Sequence, residues 1–282
     1  MVKELACAVT HVRQETYFLQ KWIDHYAPIV GRKNLHVVLD GSDWEPKVDL
    51  TGLNVEVVEG APRARIRNDR FIAKEMSARA NRLRKSYRYV LRMDCDEFVV
   101  LDPAWGGDWA QALDEVDEDG YIFALGLDVV QRGRDLPPIE RSRPTLLQRP
   151  HAVITGLYSK PFVISRWNNW TGGAHRLINR TVKMSDRFVM FHLALSDQSV
   201  AVERHTARGG DGQHASHVNY IDERLALIEA AAGNPVGDFN VVAAAARHDF
   251  AVNENGEART RPPPQSDPAW TVRIPDRFLN LV

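Results

Sequence analysis

The stretch YRYVLRMDCDEFVVLDP (residues 87–103) runs from an apolar segment straight into acidic residues. Its apolar residues predict a buried strand over residues 89–100. Because side chains alternate along a strand, Asp94 and Asp96 are expected on the same side of the backbone. A hard divalent cation such as Mg²⁺ or Mn²⁺, commonly shared with substrate phosphates, would offset the repulsion between the two carboxylates. The alternative is an acidic strand end that faces solvent or pairs with a nearby arginine.

Composition limits the classes of protein to consider. The chain has 282 residues and 44% hydrophobic content, enough for one large α/β domain or two small ones. Its 36 Lys and Arg nearly cancel its 37 Asp and Glu, which argues against a nucleic-acid partner. Cys7 and Cys95 lie in apolar runs and are expected to be reduced core thiols. No signal peptide or membrane span is apparent, so we expect a cytoplasmic protein without a transmembrane segment, with peripheral membrane contact left open.

Short apolar runs alternate with amphipathic ones through the first half of the chain. Strands are predicted at 4–10, 34–40, 53–60, 89–100 and 120–130, and helices at 15–26 and 68–85. This β-α-β order predicts a mostly parallel central sheet flanked by helices, with ligands beyond the carboxyl ends of the strands.

The second half of the sequence has a different character. Residues 131–176 are rich in Pro, Gly, Arg and Trp and are expected to form long loops around a short strand at 160–167. The remaining predictions are a strand at 187–193, helices near 197–208, 218–232 and 238–247, and an extended Pro-rich arm at 253–269.

Three stretches together resemble the family 2-like glycosyltransferases with the GT-A fold: FLQKWIDHYAPIVG (18–31), HVVLDGSDW (36–44) and YVLRMDCDEF (89–98). The resemblance spans roughly residues 3–210. It implies an α/β fold of the GT-A nucleotide-diphospho-sugar transferase type. It divides the chain into a catalytic domain at 1–210 and a helical C-terminal extension at 211–282 with the Pro-rich arm. Within the catalytic domain, 1–130 would be the nucleotide-sugar-binding half and 131–210 the acceptor-side half.

The activity implied by this resemblance is metal-dependent glycosyl transfer, with Mn²⁺ or Mg²⁺ as cofactor. A hexose-like sugar would move from a UDP- or GDP-linked donor to a hydroxyl of a glycan or another acceptor, with cell-surface polysaccharide synthesis as a plausible setting by analogy. Inversion at the sugar carbon is the expected course, and retention stays open.

The resemblance also assigns the metal ligands. Asp94 would lie near the ribose and the metal, and Asp96 would bind the metal that bridges the two donor phosphates. His192, at the end of the apolar run RFVMFH and four residues before Ser196, would be the third ligand. The alternative for His192 is a core histidine with its hydrogen bonds satisfied, and Glu97 is expected to be structural.

Further residues are implied to bind the donor. Asp40 would contact the nucleobase, although an Asx-type turn before Gly41 explains it equally well. Thr10 would line the same pocket. Arg204 and Arg208 would reach the donor phosphates, since arginine suits bidentate phosphate contacts. The Gly-rich run at 207–217 is either a loop that closes over the donor or a plain surface loop.

The catalytic base is the point where the sequence departs from the family pattern. WNNWTGGAHRL (167–177) resembles the W-G-G-type turn of these enzymes, but Ala174 and His175 stand where an acid is expected. His175 is a candidate base, because a neutral imidazole accepts a proton near pH 7. Asp128 and Asp197 are the carboxylate candidates.

Two functions from other classes compete with this interpretation. The missing acid after Gly173 would suit a non-catalytic sugar- or protein-binding relative. A nucleotidyltransferase on a related sheet would normally carry a Gly-rich first loop, which THVRQETY (10–17) lacks. Of Trp167 and Trp170, one is expected to pack on the core and the other to contact the acceptor sugar.

Overall fold

The computed structural model describes residues 2–61, 65–133, 135–202, 226, 231–263 and 270–282. Within these residues, ten strands join in one sheet. The strands are β1 (Glu4–Val12), β2 (Leu35–Asp40), β3 (Asn54–Val58), β4 (Tyr87–Arg92), β5 (Glu97–Leu101), β6 (Tyr121–Val129), β7 (His151–Ile154), β8 (Pro161–Ile164), β9 (Met184–His192) and β10 (Thr271–Arg273). The helices are α1 (Tyr17–Val30), α2 (Arg65–Leu83), α3 (Trp109–Leu113), α4 (Val116–Asp119), α5 (Thr145–Gln148) and α6 (Phe239–Ala251).

The two long N-terminal helices cover opposite faces of the sheet. Trp22 and Ile23 of α1 pack in the same buried cluster as Ala8. Met76 of α2 packs with Val9 on the other face. Neighbouring residues of β1 therefore point to different helices, as the period-2 alternation of a strand requires. The mixed α/β architecture expected from the sequence is confirmed.

The sheet is parallel only in part. β4, β1, β2 and β3 run parallel in that order, and β6 runs parallel to β9. Strand β8 is antiparallel to β4 and β6, β7 is antiparallel to β6, and β5 is antiparallel to β9.

The strand predicted over residues 89–100 is two strands, and this corrects the alternation argument. β4 ends at Arg92 beside β1, whereas β5 begins at Glu97 and pairs with β9. The intervening residues 93–96 form a turn in which the Glu97 amide donates to the Asp94 carbonyl over 3.1 Å. The Asp94 amide in turn donates to the Glu97 carboxylate over 3.1 Å. Asp94 and Asp96 are thus placed by a turn between two strands with different partners.

The C-terminal segment is not purely helical. The helix predicted at 238–247 corresponds to α6, whose first turn is capped by the Asp238 carboxylate accepting from the Val241 amide. The sequence prediction missed β10, which pairs with β7 and is too short to show a periodic pattern. The helices predicted near 197–208 and 218–232 lie mostly outside the described residues. Among the helices of the described ranges, none has the length and apolar character needed to cross a membrane.

Candidate active site

An open cavity of about 720 Å³ lies where the four parallel strands β1 to β4 end. Its walls come from the residues that follow each strand, which is where ligands bind in open α/β sheets. The predicted residues Asp40, Asp94, Asp96, His175 and His192 all line it. Its volume is in the range of small-molecule sites. The fold therefore brings five residues from four separate segments into one site.

Asp94 is held by two cations of the protein itself. One of its oxygens accepts from Arg92 Nη2 over 3.1 Å, and the other lies 3.4 Å from Lys160 Nζ. Burial alone would raise the pKa of Asp94, but Arg92 and Lys160 outweigh burial and hold the pKa below its usual value. For Asp94, the alternative of pairing with a nearby arginine therefore describes the structure.

Lys160 is a central residue of the site that the sequence analysis missed. Its side chain is 5% exposed and forms an ion pair with Glu97, which is 1% exposed. Burial disfavours charge on the lysine, but Glu97 and Asp94 raise its pKa above the usual value. The only sequence signal was a lysine directly before the apolar strand PFVI (161–164).

Lys160 reaches the cavity because the chain leaves the sheet between β7 and β8. Both strands pair with β6, at opposite ends of it, so residues 155–160 bulge out opposite Gly126. A Cβ at Gly126 would lie 2.1 Å from the Tyr158 backbone, so only glycine permits this close approach. The bulge adds Leu157, Tyr158 and Lys160 to the cavity wall.

His192 is oriented by a buried carboxylate behind it. Its Nδ1 lies 2.8 Å from Asp128 Oδ1 and donates to that carboxylate, which leaves Nε2 facing Asp96. The ring of Tyr158 stacks on the His192 ring with centroids 3.6 Å apart and planes 14° apart. Asp128 is buried and does not line the cavity, so it meets the site through His192, and its role as a base stays a prediction.

Asp96 and His192 suit a divalent ion as a pair. His192 Nε2 and Asp96 Oδ2 are 3.8 Å apart, and bonds of about 2.1 Å from one ion would span up to about 4.2 Å. Within the described ranges, no group of three or more His, Cys, Asp or Glu side chains is arranged as a complete metal site. Mg²⁺-type ions commonly use one or two protein ligands plus substrate phosphates. Asp96 and His192 therefore fit a two-ligand site, and a metal-ligand role for Asp94 stays a prediction.

His175 is neutral and points an unprotonated nitrogen away from its backbone partner. Its Nδ1 donates to the Leu157 carbonyl over 2.9 Å, so Nε2 is free of the proton. Burial, and then the charge of Lys160, lower the pKa of His175 to about 3. The Gly173 backbone has a φ of +68°, and a Cβ there would lie 2.5 Å from His175 Nε2. Glycine thus keeps the imidazole nitrogen accessible.

The two tryptophans of this turn differ in exposure. Trp170 is 2% exposed and donates from its indole nitrogen to the Pro161 carbonyl over 2.8 Å. Trp167 is 63% exposed and lies outside the cavity wall. Packing is the role of Trp170, and acceptor contact by Trp167 stays a prediction.

The remaining predicted residues are spread more widely. Asp40 is buried at the cavity, 3.6 Å from His11 Nε2, and Thr10 is buried in β1 without lining the cavity. Asp197 lies away from the cavity: its carboxylate accepts from the amides of Ile139 and Ser199 and caps the helical turn that starts at residue 198. Burial would raise the pKa of Asp197, but the hydrogen bond from the Ser199 hydroxyl, and then those from backbone amides, hold the pKa below its usual value. Arg204, Arg208 and the loop at 207–217 are outside the described residues.

Protein stability is expected to fall as the pH drops below about 6.5. Burial lowers the pKa of His11 to about 4 and that of His175 to about 3. The unfolded chain, with a histidine pKa near 6.5, therefore binds protons that the folded protein does not. Each histidine is expected to reduce the free energy of unfolding by up to about 1.4 kcal/mol per pH unit.

Urea unfolding between about pH 7 and pH 5 checks this expectation. His175→Asn preserves a donor near the Nδ1 position and is expected to reduce the slope of unfolding free energy against pH. An unchanged slope in this variant would contradict the assignment of the effect to His175.

Comparisons with known proteins give little similarity. No protein-family model matches the chain, and no curated protein matches its sequence. A solved structure with weak similarity is the mannosyltransferase PcManGT from Pyrobaculum calidifontis in complex with GDP-Man and Mn²⁺. The match has a TM-score of 0.25 and 13% identity, and it covers 48% of this chain and 37% of that chain. Similarity at this level does not establish a shared fold.

Proposed function

We propose that this protein is a glycosyltransferase that moves a sugar from a nucleotide-diphosphate sugar to an acceptor hydroxyl. The observation that carries the proposal is the meeting of Asp40, Asp94, Asp96 and His192 in one cavity at the carboxyl ends of four parallel strands. These residues come from distant parts of the sequence, and they combine hydrogen-bonding carboxylates with an imidazole that suits a metal.

Asp96 and His192 would hold the Mn²⁺ or Mg²⁺ ion. When bound, this ion neutralises charge on the diphosphate as it leaves. Asp94 keeps 39% of its side chain exposed while Arg92 and Lys160 fix its orientation, so it can accept hydrogen bonds from the ribose hydroxyls. Asp40, at the end of β2, is proposed to contact the nucleobase.

The transfer itself is a displacement at the anomeric carbon. The acceptor oxygen forms a bond to that carbon while the bond from carbon to the phosphate oxygen breaks, and the nucleoside diphosphate leaves with the electron pair. A direct displacement inverts the configuration. The hydroxyl becomes strongly acidic as its oxygen bonds to carbon, so a weak base such as His175 Nε2 suffices to take its proton.

Release of nucleoside diphosphate tests the proposal. Purified protein is incubated with Mn²⁺ and a panel of UDP- and GDP-linked sugars, with and without mixed acceptors, and the free diphosphate is measured. We expect turnover with at least one donor and its loss on chelation of the metal. Calorimetric titration with the nucleoside diphosphates and Mn²⁺ supplies a readout without turnover. No binding and no release would overturn the proposal.

Asp128→Asn separates two roles for that residue. If Asp128 orients His192, the variant is expected to need about 10- to 100-fold more Mn²⁺ for half-maximal nucleoside-diphosphate binding, since such supporting partners affect metal affinity to this degree. If Asp128 were the base, the Mn²⁺ requirement would be unchanged and only the maximal rate would fall. Asp197→Asn, which alters a carboxylate away from the cavity, is the control for loss of stability.

A non-catalytic sugar-binding protein is the second candidate. The observation that favours it is the absence of an acid after Gly173, together with the pKa of about 3 at His175. Such a protein would bind a nucleotide sugar or a glycan in calorimetry and release no diphosphate under any acceptor condition.

A further inference from the structure

A second, smaller pocket adjoins the main cavity at His175. It has a volume of about 330 Å³ and lies between the first turns of α2 and the turn that contains Gly172. His175 and Asp69 line both spaces, so the two pockets are adjacent. Three arginines, Arg70, Arg176 and Arg261, and one aspartate, Asp69, line the pocket.

The arginines of this pocket differ in their ion pairing from two other arginines of α2. Arg79 and Arg82 of the same helix form ion pairs with Glu56. Within the described part of the chain, Arg70, Arg176 and Arg261 form no ion pair, and all three are exposed. Three guanidinium groups against one carboxylate make the pocket electropositive. Guanidinium groups bind phosphate and carboxylate oxygens in pairs of parallel hydrogen bonds.

The position of His175 connects this pocket with the chemistry. Lys160 lines the main cavity, Arg261 lines the second pocket, and His175 lines both. A hydroxyl bound at His175 Nε2 would have the donor on one side and the arginines on the other. A group attached to that hydroxyl would extend into the arginine pocket.

We propose that the acceptor carries an oxyanion, a phosphate or a carboxylate, which binds to Arg70, Arg176 and Arg261. The volume suits one charged group with a few attached atoms. The identification of the ligand as an acceptor rests on the proposed function. The anion site itself is inferred from the arginine pocket alone.

Binding of small anions tests the site without turnover. Wild-type protein is titrated calorimetrically with sn-glycerol 3-phosphate, with glucuronate and, as the uncharged reference, with glycerol. The double variant Arg176→Ala/Arg261→Ala is expected to bind the preferred anion at least 10-fold more weakly. The control is Arg67→Ala/Lys74→Ala, which removes two exposed charges of α2 outside the pocket and is expected to bind within twofold of wild type. Comparing glycerol 3-phosphate with glucuronate distinguishes a phosphate-bearing from a carboxylate-bearing acceptor.

Measuring nucleoside-diphosphate binding to the same proteins distinguishes a failure of the anion site from a failure of the proposed function. The double variant is expected to bind nucleoside diphosphate with Mn²⁺ within twofold of wild type, and Asp96→Asn is expected to lose that binding while retaining the anion. Anion binding that depends on the arginines, in a protein that binds no nucleotide, would overturn the acceptor role and leave the anion site. Equal anion binding by wild type and double variant, or none by wild type, would overturn the site itself.

Discussion

Asp96→Asn is expected to reduce nucleoside-diphosphate release about 100- to 1000-fold at saturating Mn²⁺. Asparagine keeps the shape of the side chain and one acceptor oxygen, but it removes the negative charge that faces His192 Nε2 at 3.8 Å. The pair then loses most of its attraction for a divalent ion. The measurement is the initial rate of diphosphate release with the best donor of the panel, together with the Mn²⁺ concentration for half-maximal rate.

Asp186→Asn is the matched control for this variant. Asp186 lies on β9, the same strand as His192, with its side chain 94% exposed. Its loss is expected to leave the rate within twofold of wild type. If Asp96→Asn retained more than about a third of the wild-type rate, the metal assignment to Asp96 would be wrong.

Lys160→Met is expected to have the largest effect on stability, a loss of about 3–5 kcal/mol in the free energy of unfolding. The methionine removes the buried cation that pairs with Glu97 and approaches Asp94. Two carboxylates are then left in the site without this partner, and an unpaired buried charge is costly. Urea unfolding of wild type and variant at pH 7 measures the difference.

Two further variants identify the cause of that loss. Lys160→Met combined with Glu97→Gln removes both charges of the buried pair and is expected to recover part of the lost stability. Lys183→Met breaks the ion pair with Asp119, where the lysine side chain is 45% exposed, and is expected to cost only about 0–1 kcal/mol. Equal losses in Lys160→Met and Lys183→Met would contradict the argument from burial.

The local sequence patterns predicted much of the N-terminal half. Each strand from β1 to β4 is a short apolar run, and each is followed by the polar residues that line the cavity. Because parallel strands end at the same edge of a sheet, the placement of Asp40 and of the acidic turn at one cavity followed from the strand predictions. The family resemblance singled out His175 and His192 through the turn and the strand end on which they lie. The structure places both residues at the cavity.

The tertiary structure alone decided how these residues are paired. The sequence predicted one strand where β4 and β5 separate, since continuous apolar character does not reveal a change of strand partner. Lys160 meets Glu97 across 63 residues, and His192 meets Asp128 across 64.

The sequence by itself therefore determined where carboxylates and imidazoles follow strands, because strand periodicity and apolar runs are local properties of the chain. Only the tertiary structure decided which cation neutralises which acid, because that depends on the bulge opposite Gly126 and on the pairing of β5 with β9. These contacts join segments far apart in the chain, and no local pattern encodes them.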